Sequence, residues 1–122
     1  VQRGDVSAAR EQYTALESLQ SITVTGSIAI YRLLGLLSQT MGRMDKSAAH
    51  FEDALDFNRR AGYRPELAWS CCDYADMLRE RDAEGDRAKA ITLLDESLAI
   101  SSELGIRPLM ERVLSRRKIL NA

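Results

Sequence analysis

FEDALDFNRRAGYRPEL, residues 51–67, returns in this chain as LDESLAISSELGIRPLM, residues 94–110. A constant offset of 43 positions relates the two copies and matches these pairs: Leu55 with Leu98, Gly62 with Gly105, Arg64 with Arg107 and Pro65 with Pro108. Self-similarity at such a period is typical of stacked helical pairs, because one pair cannot bury its own apolar face and needs neighbours. The sequence therefore predicts a helical repeat protein.

The repeated block also predicts its own local geometry. Phe51, Ala54 and Leu55 follow helical spacing better than strict alternation, so each copy is expected to form a helix. The glycine of each copy suits a left-handed turn at the end of that helix, and a proline three residues later suits the first turn of the next one. Such a short link makes the two helices antiparallel neighbours.

Length and composition describe one small domain. The chain has 122 residues, of which 45% are hydrophobic and 29% charged, and its net charge is -1. Nothing in that balance favours nucleic acid or an anionic membrane surface, and no apolar run approaches the roughly 20 residues of a membrane span. We therefore expect a single domain over residues 1–122 in the cytoplasm, with no direct nucleic-acid or membrane binding. Because the sequence opens on Val1 inside a repeat, we also expect a fragment of a longer protein.

Six helices are predicted. They cover residues 1–19, 28–41, 46–61, 65 to about 78, 87–104 and 108–120, with a connector at 20–27 and a solvated loop in RERDAEGDR, residues 79–87. Asp45 and Asp86 are the expected N-caps of helices three and five. The residues expected to face inward in helices two, four, five and six are Ile30, Leu33, Leu34, Leu37, Met41, Leu67, Ala68, Cys71, Tyr74, Ala75, Leu78, Ala90, Ile91, Leu94, Leu98, Met110, Val113 and Leu114.

The run YRLLGLLSQTMGRMDKSAAHFEDAL resembles a tetratricopeptide repeat. The residues that carry the resemblance are Tyr31, Leu34, Gly35, Gly42, Ser47, Phe51 and Ala54. The resemblance implies an all-α, right-handed α-solenoid of antiparallel helix pairs. It favours this type over HEAT-like repeats, whose period is near 43. Residues 33–120 are also similar to the helical repeats near the C-terminus of large bacterial signalling proteins that combine an ATPase module with a cyclase or a LuxR-type DNA-binding domain.

Motifs that carry chemistry are missing from the sequence. It contains no phosphate-binding GxxxxGK(S/T), no HExxH and no GxSxG. The single histidine, His50, is expected on the solvated flank of a helix. Cys71 and Cys72 are adjacent, which suits neither a mutual disulfide nor a shared metal, so reduced packing cysteines are expected. We therefore predict no enzyme activity, no cofactor and no metal site.

The resemblance implies that the first helix of each pair lines an inner, concave groove. The candidate groove residues that it gives are Arg32, Leu36, Gln39, Thr40, Trp69, Cys72, Asp76 and Arg79. Trp69 is either a binding anchor or cover for a neighbouring helix. Some family members clamp a peptide carboxylate with Lys and Asn residues, which are absent from the matching positions here. Recognition of a C-terminal carboxylate is therefore not expected.

Two functions of different class fit this pattern. The first is a non-catalytic protein–protein interaction or scaffold module of a bacterial signalling or transcription regulator, with a protein or peptide as partner. The alternative is a small-effector sensor that relays to an attached ATPase, cyclase or DNA-binding domain. A pocket closed by Trp69 and containing Arg32 or Arg79 would favour the sensor, whereas a long open groove would favour the protein binder.

The two ends of the stack are expected to differ. Helix one has lost the partner that would complete its repeat, which leaves apolar surface around Val6, Tyr13 and Leu16. That face is expected either to fold back on helices two and three or to associate with a second copy of the chain. The outer face of helix six is expected to be wet, with these residues outward: Arg116, Arg117 and Lys118.

Overall fold

The computed structural model describes the backbone of residues 3–22 and 30–121, and the side chains of residues 6–15 and 30–121. These residues form helices α1 (Arg3–Ile22), α2 (Ile30–Thr40), α3 (Met44–Ala61), α4 (Arg64–Arg81), α5 (Asp86–Leu104) and α6 (Arg107–Leu120). The same residues contain no β-strand. The prediction of an all-α solenoid of about six helices is confirmed.

Glycines end the helices at the predicted positions. Gly62 and Gly105 follow α3 and α5 with φ of 76° and 70°, and their N–H groups donate to carbonyls of the last turn. A residue with a Cβ atom would be strained in that left-handed conformation. Pro65 and Pro108 lie in the first turns of α4 and α6, where the missing N–H leaves no hydrogen bond unmade.

The first connector begins later than predicted. Helix α1 continues to Ile22, so residues 20–22 are helical, and the rest of the predicted connector lies outside the described residues. Serine and glutamine cost a helix at most a few tenths of a kcal/mol relative to its better formers, so their presence did not end it. Helix α2 is described from Ile30 to Thr40, and residues 28 and 29 of the prediction are also outside the described part.

Both predicted aspartate N-caps were wrong. The N-cap of α3 is Arg43, and that of α5 is Gly85, neither with a capping side-chain hydrogen bond. Asp45 and Asp86 lie instead in the first helical turn, where the helix dipole also favours a carboxylate. Both carboxylates accept hydrogen bonds from Arg81.

Each helix packs against the next along the chain, and α4 also contacts α2 and α6. The first helices of successive pairs therefore form one side of the stack. Six residues of the repeat pattern in α2 to α5 are all buried: Leu34, Gly35, Phe51, Ala54, Tyr74 and Leu94. Phe51, Tyr74 and Leu94 belong to one continuous cluster that extends to α6.

Gly35 lets α2 and α3 approach closely. A Cβ atom at this position would lie 2.9 Å from three ring atoms of Phe51. That ring is fully buried and stacks on Tyr74, with ring centroids 5.3 Å apart. The Ser47 hydroxyl donates to the Gly35 carbonyl at 2.7 Å across the same contact. Absence of a side chain at position 35 is therefore a packing requirement.

Some predicted inward positions are not buried. Leu33 is 39% exposed and Leu114 is 49% exposed, whereas Leu109 is completely buried. Helical spacing identified the apolar face approximately, but the neighbouring helix covers only part of it. Residues predicted inward that are only half-buried are Leu37, Met41, Ile91, Leu98 and Met110.

The prediction of a solvent-exposed, polar outer face for α6 was only partly correct. Leu114 and Ile119 are exposed, so the face is not purely polar. Arg116 and Arg117 do not extend freely into solvent, because their Nε atoms lie 2.9 Å from Asp76 and 3.0 Å from Asp95. Ion pairs to α4 and α5 hold the last helix on the stack.

Helix α1 folds back onto its neighbours, the first of the two predicted alternatives. Ala9 and Tyr13 are buried, and Val6 is half-buried. The Tyr13 hydroxyl lies 2.7 Å from Nε2 of His50 on α3, and the two rings meet edge to face. The predicted solvated position of His50 was therefore wrong, because Tyr13 covers it. The Leu16 side chain lies outside the described residues.

Candidate binding groove

The candidate groove is the side of the stack formed by α2 and α4, with α6 at its end. On α2, Arg32, Leu36 and Gln39 recur at spacings of four and three, which places them along one stripe of the helix. On α4, Trp69, Asp76 and Arg79 are seven and three residues apart, which also keeps them along one stripe of the helix. Thr40 is half-buried, and its hydroxyl donates to the Leu36 carbonyl one turn earlier at 3.1 Å.

Arg32 is engaged within the protein. Its guanidinium donates to Glu66 through two nitrogens and to Asp73 through Nη1, the last at 3.0 Å. Burial lowers the pKa of Arg32, but the hydrogen bonds to Glu66 and Asp73 outweigh it, so the pKa lies above its ordinary value. Arg32 therefore links α2 to α4 and is not a free ligand-binding cation.

Asp73 is the central charge of this side of the stack. Its side chain is only 8% exposed and lies between Arg32 of α2 and Arg112 of α6, with Nη1 of Arg112 at 3.6 Å. Burial raises the pKa of Asp73 above its usual value, although the two guanidinium groups oppose the shift. One carboxylate thus joins the three helices that line the groove.

Trp69 is half-buried and packs against the core cluster. The Arg112 guanidinium lies over its indole ring, 5.8 Å from the ring centroid, within the range of a cation–π contact. Trp69 thus contacts both the core cluster and Arg112 of α6.

Cys72 does not form groove surface, so this part of the prediction was wrong. Its side chain is fully buried, because α4 is covered by α3, α5 and the two flanking groove helices. Burial raises the pKa of the Cys72 thiol to about 12 and that of Cys71 even further, so both are neutral. Both thiols are free and buried, as expected of packing cysteines.

A polar pocket of about 490 Å³ lies between α2 and α4, lined by Gln39, Asp76, Arg79 and Glu80. The Gln39 amide donates to Glu80 at 2.6 Å, and Arg116 donates to Asp76 at 2.9 Å. Arg79 is exposed, and among the described residues no carboxylate lies within ion-pair distance of its guanidinium. The pocket therefore contains two carboxylates that already accept hydrogen bonds and, within the described part of the chain, one guanidinium without an ion-pair partner.

An apolar pocket of about 350 Å³ lies between α1 and α2, lined by Gln12, Ala15, Leu33, Leu36 and Leu37. Sequence reasoning placed only Leu36 in the groove and assigned Leu33 and Leu37 to the core. The segment IYRLLGLL offered a signal, since its apolar residues nearly encircle the helix. Such a helix is covered on every side or keeps an apolar surface for a ligand.

Charged clusters elsewhere have structural roles. Arg60 pairs with Asp56 one turn away on α3, and Tyr74 donates to Glu52 at 2.6 Å. Within residues 3–22 and 30–121, no group of three or more His, Cys, Asp or Glu residues could hold a metal ion. Nor is any helix in these ranges both long and apolar enough to span a membrane.

Comparison with known proteins agrees with the helical architecture. A family model described as tetratricopeptide repeat matches residues 26–103. Searches of the curated proteins and of the solved structures gave no significant match.

Proposed function

The chain belongs to the tetratricopeptide repeat family, and from this premise we propose that it is a non-catalytic interaction module that binds a protein or peptide partner in its groove. Repeats of this family generally mediate protein–protein interaction or scaffolding. The observation that carries the proposal for this chain is the apolar pocket at Leu36 beside the polar pocket at Gln39, three residues away on α2. An apolar centre next to polar groups is the usual composition of a recognition surface.

We further propose that this module belongs to a cytoplasmic bacterial signalling or transcription regulator. This proposal rests on the sequence resemblance of residues 33–120 given above, which predicts such a setting. In that setting the stack would scaffold or regulate the attached domains, while the ion-paired residues Arg32, Asp73 and Arg112 keep the groove helices in fixed relation.

A small-effector sensor is the second candidate function. The supporting observation is the apolar pocket, whose volume of about 350 Å³ falls in the range of small-molecule sites. Trp69, Arg32 and Arg79 do not line this pocket, so an effector held there would be apolar rather than anionic. Binding would be relayed through α2 to an attached ATPase, cyclase or DNA-binding domain.

Peptide selection against the purified chain tests the principal proposal. We expect a random peptide library to yield groove-binding sequences, and Leu33→Asp to weaken their binding about tenfold or more, since it places a charge in the apolar pocket. Leu114→Asp is the matched control, because Leu114 is similarly exposed but lies on α6 away from this pocket. Fluorescence anisotropy gives the affinities, and circular dichroism verifies that both variants fold.

Two results would reject the interaction module. The first is a library that yields no binder, and the second is a set of binders that Leu33→Asp and Leu114→Asp weaken equally. Saturable binding of small apolar compounds, abolished by Leu33→Asp in the absence of any peptide binder, would establish the sensor instead.

Self-association through α1 is a separate prediction. Because Ala9 and Tyr13 are already buried within the chain, we expect any dimer to be weak and to dissociate on dilution. Light scattering across a dilution series measures this. A dimer that persists at low concentration and is unaffected by Val6→Ser would show that another surface mediates association.

A further inference from the structure

The four arginines of the groove side differ in what they contact. Arg32, Arg112 and Arg116 each have a carboxylate partner on α4. Arg79 has no ion-pair partner among the described residues, although Asp76 and Glu80 line the same pocket. Those two carboxylates are already engaged by Arg116 and Gln39. Arg79 is thus the group of this pocket with unused capacity to bind an anion.

The apolar pocket and Arg79 both lie close to residues 36–39 of α2. Leu36 lines the apolar pocket and Gln39 lines the polar one, and three residues of α-helix advance about 4.5 Å along the axis. Arg79 lies on α4, which packs against α2, and packed helix axes are roughly 8–10 Å apart. One short peptide segment can therefore contact the leucines and Arg79 together.

We propose that the partner segment inserts an apolar side chain between Leu33, Leu36 and Leu37 and places an Asp or Glu side chain against Arg79. The inference rests on the proposed function and specifies the chemistry of the partner. A separation of about 10 Å corresponds to about three residues of extended chain, so the two side chains are expected two to four residues apart. The carboxylate binds through charge-assisted hydrogen bonds from the planar guanidinium.

Charge reversal tests this inference on peptides selected against the unmodified chain. We expect the selected sequences to contain an acidic residue near an apolar one, and Arg79→Glu to weaken their binding about fivefold. Replacing the acidic peptide residue with lysine is expected to restore binding to the Arg79→Glu variant. Arg60→Glu is the matched control, since Arg60 is an exposed arginine on α3 outside the groove and should leave affinity unchanged.

The outcomes separate the inference from the proposed function. Peptides that lose affinity with Leu33→Asp but show no acidic preference, or are insensitive to Arg79→Glu, would overturn the inference and leave the interaction module intact. Enrichment of lysine or arginine would overturn it as well, because it would show that Glu80 or Asp76 makes the charge contact. The absence of any binder would overturn both. Salt dependence provides a further readout, because the Arg79 contact should weaken as ionic strength rises.

Discussion

Gly35→Leu is expected to lower the free energy of unfolding by about 3 kcal/mol, because the new side chain would enter space that Phe51 fills. Even the first added atom, Cβ, would lie 2.9 Å from the Phe51 ring. The ring cannot move aside easily, since it is fully buried and stacks on Tyr74. Urea unfolding followed by circular dichroism measures the change. A midpoint equal to that of the parent would show that α2 and α3 do not pack as described.

The second repeat provides the control for this clash. The repeat pattern aligns Ala75 with Gly35, 40 positions earlier, and Leu94 with Phe51, 43 positions earlier, so the chain already contains a smaller ring-free pair at these positions. Alanine favours a helix over glycine by about 1 kcal/mol, yet we expect Gly35→Ala alone to destabilise. Adding Phe51→Leu should recover most of that loss, with a coupling energy of about 1 kcal/mol or more. Independent, additive effects of the two changes would contradict the proposed contact.

The number of helices and the positions of the turns could be predicted because the residues that determine them act on the backbone at their own positions. The offset of 43 residues aligns Gly62 with Gly105 and Pro65 with Pro108, and each of these residues determines backbone geometry at its own position. The packing role of Gly35 and Phe51 was also accessible, since the repeat pattern places a small residue opposite a large one. Helix ends were less accurate, as the continuation of α1 to Ile22 shows.

The groove was predicted less well because its character depends on contacts between distant residues. Asp73 joins Arg32 and Arg112, and nothing in the local pattern around any of these residues identifies the other two. The burial of Asn58 could not be predicted from its local sequence either. Its side chain is 1% exposed and its amide has no hydrogen-bond partner in the described part of the chain, although asparagine on a helix is ordinarily expected at the surface.

Asp86 stabilises the connection between α4 and α5 through its hydrogen bonds. Its carboxylate accepts hydrogen bonds from Arg81 Nε at 2.8 Å, from Arg81 Nη2 at 2.9 Å and from the backbone N–H of Ala83 at 3.0 Å. The Asp86 side chain is 6% exposed. We expect Asp86→Ala to lower the free energy of unfolding at neutral pH by about 2–3 kcal/mol, since two charge-assisted bonds and a backbone partner are lost.

The effect of Asp86→Ala should depend on pH in a defined direction. The hydrogen bond from Arg81 lowers the pKa of Asp86 below its ordinary value of 3.8. The carboxylate therefore contributes stability above that ordinary value, and the contribution disappears as the pH falls through the lowered pKa.

Asp45→Ala is the matched control, because Asp45 also accepts a hydrogen bond from Arg81, at 3.1 Å, but its side chain is 98% exposed. Removing so exposed a partner should change stability by less than about 1 kcal/mol. Urea unfolding of the parent and both variants from neutral to acidic pH measures these free energies. The role given to Asp86 would be contradicted if Asp45→Ala lowered the free energy of unfolding as much as Asp86→Ala does. It would also be contradicted if the loss caused by Asp86→Ala stayed the same at acidic pH.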